Sequence, residues 1–188
     1  MEVNIKYFDK ELTQAKKIEK GDWIDLRCAG VTKLEINNNI NKVGNINVLT
    51  RDVVKTKLPI EDGLFIDEKG EGVLCSFFRY KAGDVLLIDL GIAMQLPENK
   101  EAHVVPRGST FKSLTVIETN SMGIIDETYK GDGDKWFMPV LAMQDGFVLF
   151  DERVCQFKIE DKMEYVNFNE LEKFDTADRG ALGSTGIK

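Results

Sequence analysis

The stretch Trp136–Ile159, WFMPVLAMQDGFVLFDERVCQFKI, decides the fold. It holds three short apolar runs, Trp136 to Met143, Phe147 to Phe150 and Arg153 to Ile159, with the turn-forming cluster QDG between the first two. In the last run Cys155, Phe157 and Ile159 fall on one face and Gln156 and Lys158 on the other, the two-residue period of a half-buried strand. Gln156 is therefore expected to point away from the apolar layer. Working outward, Val3 to Phe8, Trp23 to Cys28 and Val85 to Leu96 have the same character, and KAGD and KGDGD punctuate the chain in the same way. This spacing predicts an all-β domain.

At 188 residues the chain is close to the roughly 150 expected of one domain. Residues 1–178 are expected to form that β domain, with 179–188 as a flexible C-terminal arm too poor in apolar residues to pack a core. Residues 35–78 are rich in Asn, Lys and Gly with short β-branched runs between, and read as an inserted β-hairpin region. Helix signals are few: a short stretch from Gly108 to Ser113, and part of Glu164 to Phe174. Twenty-five Lys and Arg against 32 Asp and Glu give a net charge of −7, which argues against a nucleic-acid partner. No apolar run reaches the roughly 18 to 20 residues of a membrane span, and the first residues lack a signal-peptide layout, so a cytoplasmic protein is expected. Cys28, Cys75 and Cys155 read as reduced core thiols, and His103, the single histidine, as a plain surface or strand residue.

Three segments carry chemistry. Val105 to Thr110, VPRGST, places a guanidinium, a glycine and hydroxyls at the start of a short helix, where free backbone N–H groups and Arg107 can bind phosphate oxygens. Gly123 to Gly131, GIIDETYKG, sets Asp126 and Tyr129 three residues apart in a tight hairpin, a carboxylate able to act as general base beside a ring able to stack on a sugar. Arg179 to Gly186, RGALGSTG, combines exposed glycine N–H groups with Arg179, Ser184 and Thr185 as an anion clamp. Asp132-Gly133-Asp134 does not continue as a calcium loop, because Trp136 stands at the next ligand position.

In order, Asp89 to Met94, Pro106 to Ser109, Gly123 to Gly131, Arg153 to Gln156 and Arg179 to Gly186 resemble the five motifs of the homotrimeric dUTPase family, and Gly21 to Arg27 resembles its early strand. The resemblance covers residues 1–32 and 80–188. It implies a distorted jelly roll (a β-clip) with one short helix, three copies sharing composite sites, and hydrolysis of dUTP to dUMP and pyrophosphate with Mg2+. Carried over by position, it makes Asp126 the residue that activates water. Tyr129 would pack on the deoxyribose, and Asn120 with the hairpin backbone at Ile124 and Ile125 would read uracil. Arg107, Gly108, Ser109 and Gln156 would line the phosphates, and Asp89 would touch the metal through water. The tail, with Arg179, Leu182, Gly183, Ser184 and Thr185, would close over a neighbour's site.

The chain departs from the pattern at three places. Gly108 stands where the family usually has serine, Leu182 replaces the phenylalanine that stacks on the base in a shortened tail, and residues 35–78 have no counterpart in the minimal enzyme. The last admits a protein partner, because some phage-type members bind repressor proteins through inserted segments. A dCTP deaminase of the same superfamily is the less favoured alternative, since Asp126, Tyr129 and the tail match the pyrophosphatase form.

Overall fold

The computed structural model describes residues 1–67 and 69–178. Their strands are β1 (Asn4–Tyr7), β2 (Ile24–Arg27), β3 (Gly30–Val43), β4 (Ile46–Lys57), β5 (Ile60–Ile66), β6 (Gly72–Tyr80) and β7 (Val85–Asp89). After them come β8 (Ile92–Gln95), β9 (Lys100–Pro106), the helix α1 (Thr110–Leu114), β10 (Val116–Glu118), β11 (Gly123–Asp126), β12 (Phe137–Ala142), β13 (Gly146–Leu149) and β14 (Arg153–Asp161).

The strands pair antiparallel in a five-stranded sheet, β10-β12-β7-β3-β4, a four-stranded sheet, β11-β9-β14-β2, a three-stranded sheet, β13-β6-β5, and the pair β1-β8. Inward positions of several sheets meet in one core that includes Leu26, Leu86, Ile88, Val104, Trp136, Met138, Val140, Val148, Val154 and Phe157. Along β12 burial alternates as a two-residue period requires, with Met138, Val140 and Ala142 inside. β14 breaks that rule once: Val154 and Cys155 are both buried, because the register against β2 shifts between Arg153 and Cys155. A bulge of this kind adds a residue to one strand and re-aims the side chains around it. Beyond it Phe157 is buried and Gln156 lies on the outer side with Asp25 and Val105 as its cross-strand neighbours.

The segment 35–78 contributes two hairpins. β3 and β4 pair from Thr32↔Lys57 out to Val43↔Ile46, and only the base of β3 is held by β7. The turn needs Gly44, whose φ is +63°. On one face of this arm Ile36 opposes Val53 and Ile40 opposes Leu49, all four exposed, with an Arg51 Nε–H bond to Asn38 Oδ1 (2.9 Å) between the pairs. The second hairpin, β5-β6, packs through Phe78 and the Phe77–Phe147 ring pair.

Two expectations change. Residues 164–174 form no helix; they are exposed coil, with Tyr165 and Phe168 about as open as free side chains, so nothing buries the apolar stripe that would hold a helix together. Cys28 and Cys155 are core thiols, but Cys75 is half-buried on β6, beside a groove lined by Leu64, Phe65 and Phe77. His103 lies on β9, its Nε2 2.6 Å from Glu101 Oε1.

Candidate active site

The Arg107 group assembles where β9 runs into α1. Arg107 follows the strand, and its backbone N–H donates to Thr110 Oγ1 (2.9 Å), which in turn donates to the Val154 carbonyl (2.8 Å). This buried threonine fixes the Arg107–Ser109 corner to β14. The guanidinium is held by Asp25 of β2, Nε to Oδ1 at 2.8 Å, with a second N–H toward Ser109 Oγ at 3.4 Å. Arg153 donates to the other Asp25 oxygen at 3.2 Å. Gln156 joins the group from β14, its amide reaching the Pro106 carbonyl at 3.4 Å. Among the described residues, a Cβ built on Gly108 meets nothing within 4 Å.

The hairpin group is separate. Asp126 closes β11 opposite Glu101 of β9. Its Oδ1 accepts the Thr128 N–H (2.8 Å), and its Oδ2 lies 3.2 Å from Lys162 Nζ. The Thr128 backbone N–H foremost, then its hydroxyl and the Lys162 ammonium, hold this carboxyl below its ordinary range. Asp126 is thus ionised at neutral pH and half-open to solvent, as a base that must reach a water requires. Tyr129 is turned by its N–H bond to the Asp126 carbonyl (3.0 Å), and its hydroxyl donates to the Lys135 carbonyl (3.1 Å), leaving the ring 40% exposed. Ile124 is exposed, Ile125 packs on the core, and Asn120 sits exposed at the turn before β11, its carbonyl accepting the Met122 N–H at 2.7 Å.

Asp126 and Arg107 are not together in one chain. Asp126 registers with Glu101, six residues before Arg107 on the same strand path, so about 20 Å of strand separates the two levels. Asp89 is also apart from the Arg107 group. Its Oδ2 pairs with Lys135 Nζ (2.8 Å) and its Oδ1 accepts the Gly91 N–H (2.8 Å), placing it beneath the Tyr129 hairpin. The carboxylate beside Arg107 and Gln156 is Asp25, which sequence reasoning passed over. Its signals were its place in Gly21 to Arg27, the stretch resembling the family's early strand, and a charge between Ile24 and Leu26; the register then sets it against Gln156. Lys162 was likewise missed. Arg179, Leu182, Gly183, Ser184 and Thr185 lie outside the described residues.

No family model matches the chain. It is 39% identical over 188 residues to the SPbeta prophage-derived deoxyuridine 5'-triphosphate nucleotidohydrolase YosS of Bacillus subtilis, with 100% of both chains covered. It is 34% identical over 110 residues to the deoxyuridine 5'-triphosphate nucleotidohydrolase of Clostridium acetobutylicum, covering 57% of this chain and 74% of that one. Among solved structures, the Staphylococcus bacteriophage 80alpha dUTPase with dUPNHPP superposes at a TM-score of 0.55 with 12% identity, covering 99% of each chain. The dUTPase from Streptococcus mutans superposes at 0.54 with 14% identity, covering 87% of this chain and 98% of that one. These two likenesses bear on the fold and agree with its jelly-roll-like, all-β character. The full-length relationship to the Bacillus enzyme makes the chain a member of the deoxyuridine 5'-triphosphate nucleotidohydrolase (dUTPase) family.

Proposed function

We propose that the protein hydrolyses dUTP to dUMP and pyrophosphate, with Asp126 as the base that activates the attacking water. The observation that carries this is the Asp126 corner: an ionised, half-open carboxylate oriented by Thr128 and Lys162, three residues before an exposed tyrosine ring. A carboxylate has about four lone-pair positions, so these donors leave room for a water proton. Tyr129 packs on the deoxyribose, and Asn120 with the backbone at Ile124 and Ile125 reads the uracil edge. Arg107, the Gly108 N–H, Ser109 and Gln156 take the phosphate oxygens, where donors fixed before the reaction stabilise charge as it develops.

A base must lie within hydrogen-bond reach of its water, about 3 Å, while Arg107 must touch the same triphosphate. The roughly 20 Å between their strand levels supports a site shared between copies, with the hairpin of one subunit meeting the Arg107 corner of another. The number of copies, three, is the one the resemblance to the homotrimeric family implies, and we read the active form as a homotrimer on that ground.

Among the described residues there is no cluster of three or more metal-ligating side chains. That donor set suits magnesium carried by the substrate, since the ion keeps several waters and takes one or two carboxylates plus phosphates. Asp25, beside Arg107 and Gln156, is the carboxylate placed for it and would exchange its Arg153 contact for the ion, as Asp89 would have to exchange Lys135. When bound, the ion neutralises phosphate charge. Residues 1–178 form the catalytic β domain in this reading, with 35–78 as an insertion and 179–188 as an arm belonging to the site.

The test is pyrophosphate release from dUTP and dCTP by the parent and by Asp126→Asn. The amide keeps the carboxylate's shape without its basicity, so the variant should bind a non-hydrolysable dUTP analogue like the parent while turnover falls at least about a hundredfold. Parent-like turnover would remove Asp126 from the role of base, and preference for dCTP would favour the deaminase branch.

A further inference from the structure

We propose that Lys162, the first residue beyond β14, is a positioning residue for hydrolysis, holding the Asp126–Glu127 corner in the orientation that presents Asp126 to its water. The proposal rests on the reading of Asp126 as base. Lys162 Nζ lies 3.2 Å from Asp126 Oδ2 and 3.1 Å from Glu127 Oε1, one ammonium between two adjacent carboxylates. Its backbone is anchored from the other side, where the Lys162 N–H donates to the Asn99 carbonyl at 3.0 Å. Glu127 is tied to the same corner through its Oε2, which accepts the Lys100 N–H at 3.3 Å. The ammonium thus joins the end of β14 to the 126–127 turn, which the Lys100 N–H also ties to the start of β9.

The charges around Asp126 explain why a cation is needed. Glu127 follows it in sequence, and Glu101 faces it from β9, engaged with His103. Lys100 is paired with Asp161, and Lys158 with Glu160, which faces Glu101 from β14. Asp126, Glu127, Glu101, Glu160 and Asp161 therefore crowd one end of the sheet, and Lys162 is the ammonium that pairs with Asp126 and Glu127. The Thr128 N–H fixes one oxygen of Asp126 and Lys162 fixes the other, which together set the plane of the carboxylate. With Lys162 removed, Asp126 would be held by Thr128 alone and would stand nearest to like charges. Both its aim and its ionisation would suffer. Lys162 and the Thr128 groups lower the proton affinity of Asp126, and Lys162 has its own raised by the two acids in return.

The experiment compares the full-length parent with Lys162→Met, Lys162→Arg and Asp126→Asn by steady-state dUTP hydrolysis from pH 5 to 9. It also follows the Asp126 carboxyl by carbon-13 NMR titration without nucleotide, with thermal midpoints as the folding control. Lys162→Met should lower kcat about tenfold with KM near the parent value, because the phosphate corner is untouched. The acid limb of its kcat profile and the Asp126 NMR titration should both move to higher pH, since loss of the ammonium makes the carboxylate easier to protonate. Lys162→Arg should restore both. An unmoved NMR titration in Lys162→Met, or a parent acid limb and parent kcat in that variant, overturns the positioning role. Failure of the base assignment is seen separately, as an Asp126→Asn chain that still turns over.

Discussion

Glu118 is the residue the proposed chemistry does not use and the fold does not satisfy. Its side chain is only 7% exposed at the end of β10, and among the described residues neither carboxylate oxygen has a hydrogen-bond partner. Burial pushes its pKa up from 4.5 to about 7, and the nearby Gly123 N–H offsets that only in part. The folded state thus holds a proton that the unfolded chain gives up near pH 4.5. Where the folded state binds more protons, stability falls as pH rises, so this contribution is complete below about 4.5 and lost as pH passes through about 7. Glu118→Leu should consequently be more stable than the parent by ~1–2 kcal/mol at pH 8, with the advantage shrinking toward pH 5. Denaturant melts of both proteins at the two pH values check this, and a pH-independent difference would mean that Glu118 is not protonated inside the fold. Asp126, by contrast, was plain from sequence because a carboxylate three residues before a tyrosine between glycines is a local pattern. Asp25 and Lys162 were not, since each acquires its partner across strands far apart in the chain.

At the scale of the element, the β3-β4 arm stands out because it contributes so little to the core. Beyond Leu34 its side chains are exposed on both strands, and the ladder bonds are internal to the arm. Replacing residues 37–52 by a two-residue turn should leave the thermal midpoint of the domain within about 3 °C of the parent, as expected for removal of surface that buries nothing. A larger drop by calorimetry would show that the arm supports the core or an interface. The hairpins were legible as exposed β-structure, since Asn-rich runs broken by glycine do not suit buried strands. The double burial at Val154 and Cys155 was not, because a bulge is a property of two strands in register and β14 carries only half of that information. The segment 164–174 misled for a related reason: its apolar residues have helical spacing, but a short helix needs a surface to pack on, and here there is none.

At the scale of the whole molecule, the two halves of the proposed site lie at opposite ends of the path from Glu101 to Arg107. Asp126→Asn chains keep the Arg107 corner and Arg107→Ala chains keep the hairpin, so mixing the two after dissociation and reassembly should recover a fraction of parent turnover that neither has alone. Recovery would be partial because only some junctions unite two intact halves. Pyrophosphate release from the mixed sample checks this, and no recovery in a sample shown by light scattering to have exchanged subunits would place both halves in one chain. The same separation along β9 makes abundance a control on catalysis. If the site is shared as proposed, a lone subunit would carry every needed side chain yet be inert, and specific activity per chain should collapse on dilution through the assembly constant. A cell would then gain activity faster than in proportion to the amount of protein it makes. A defective allele would subtract only the junctions it enters, making its dominance graded rather than complete.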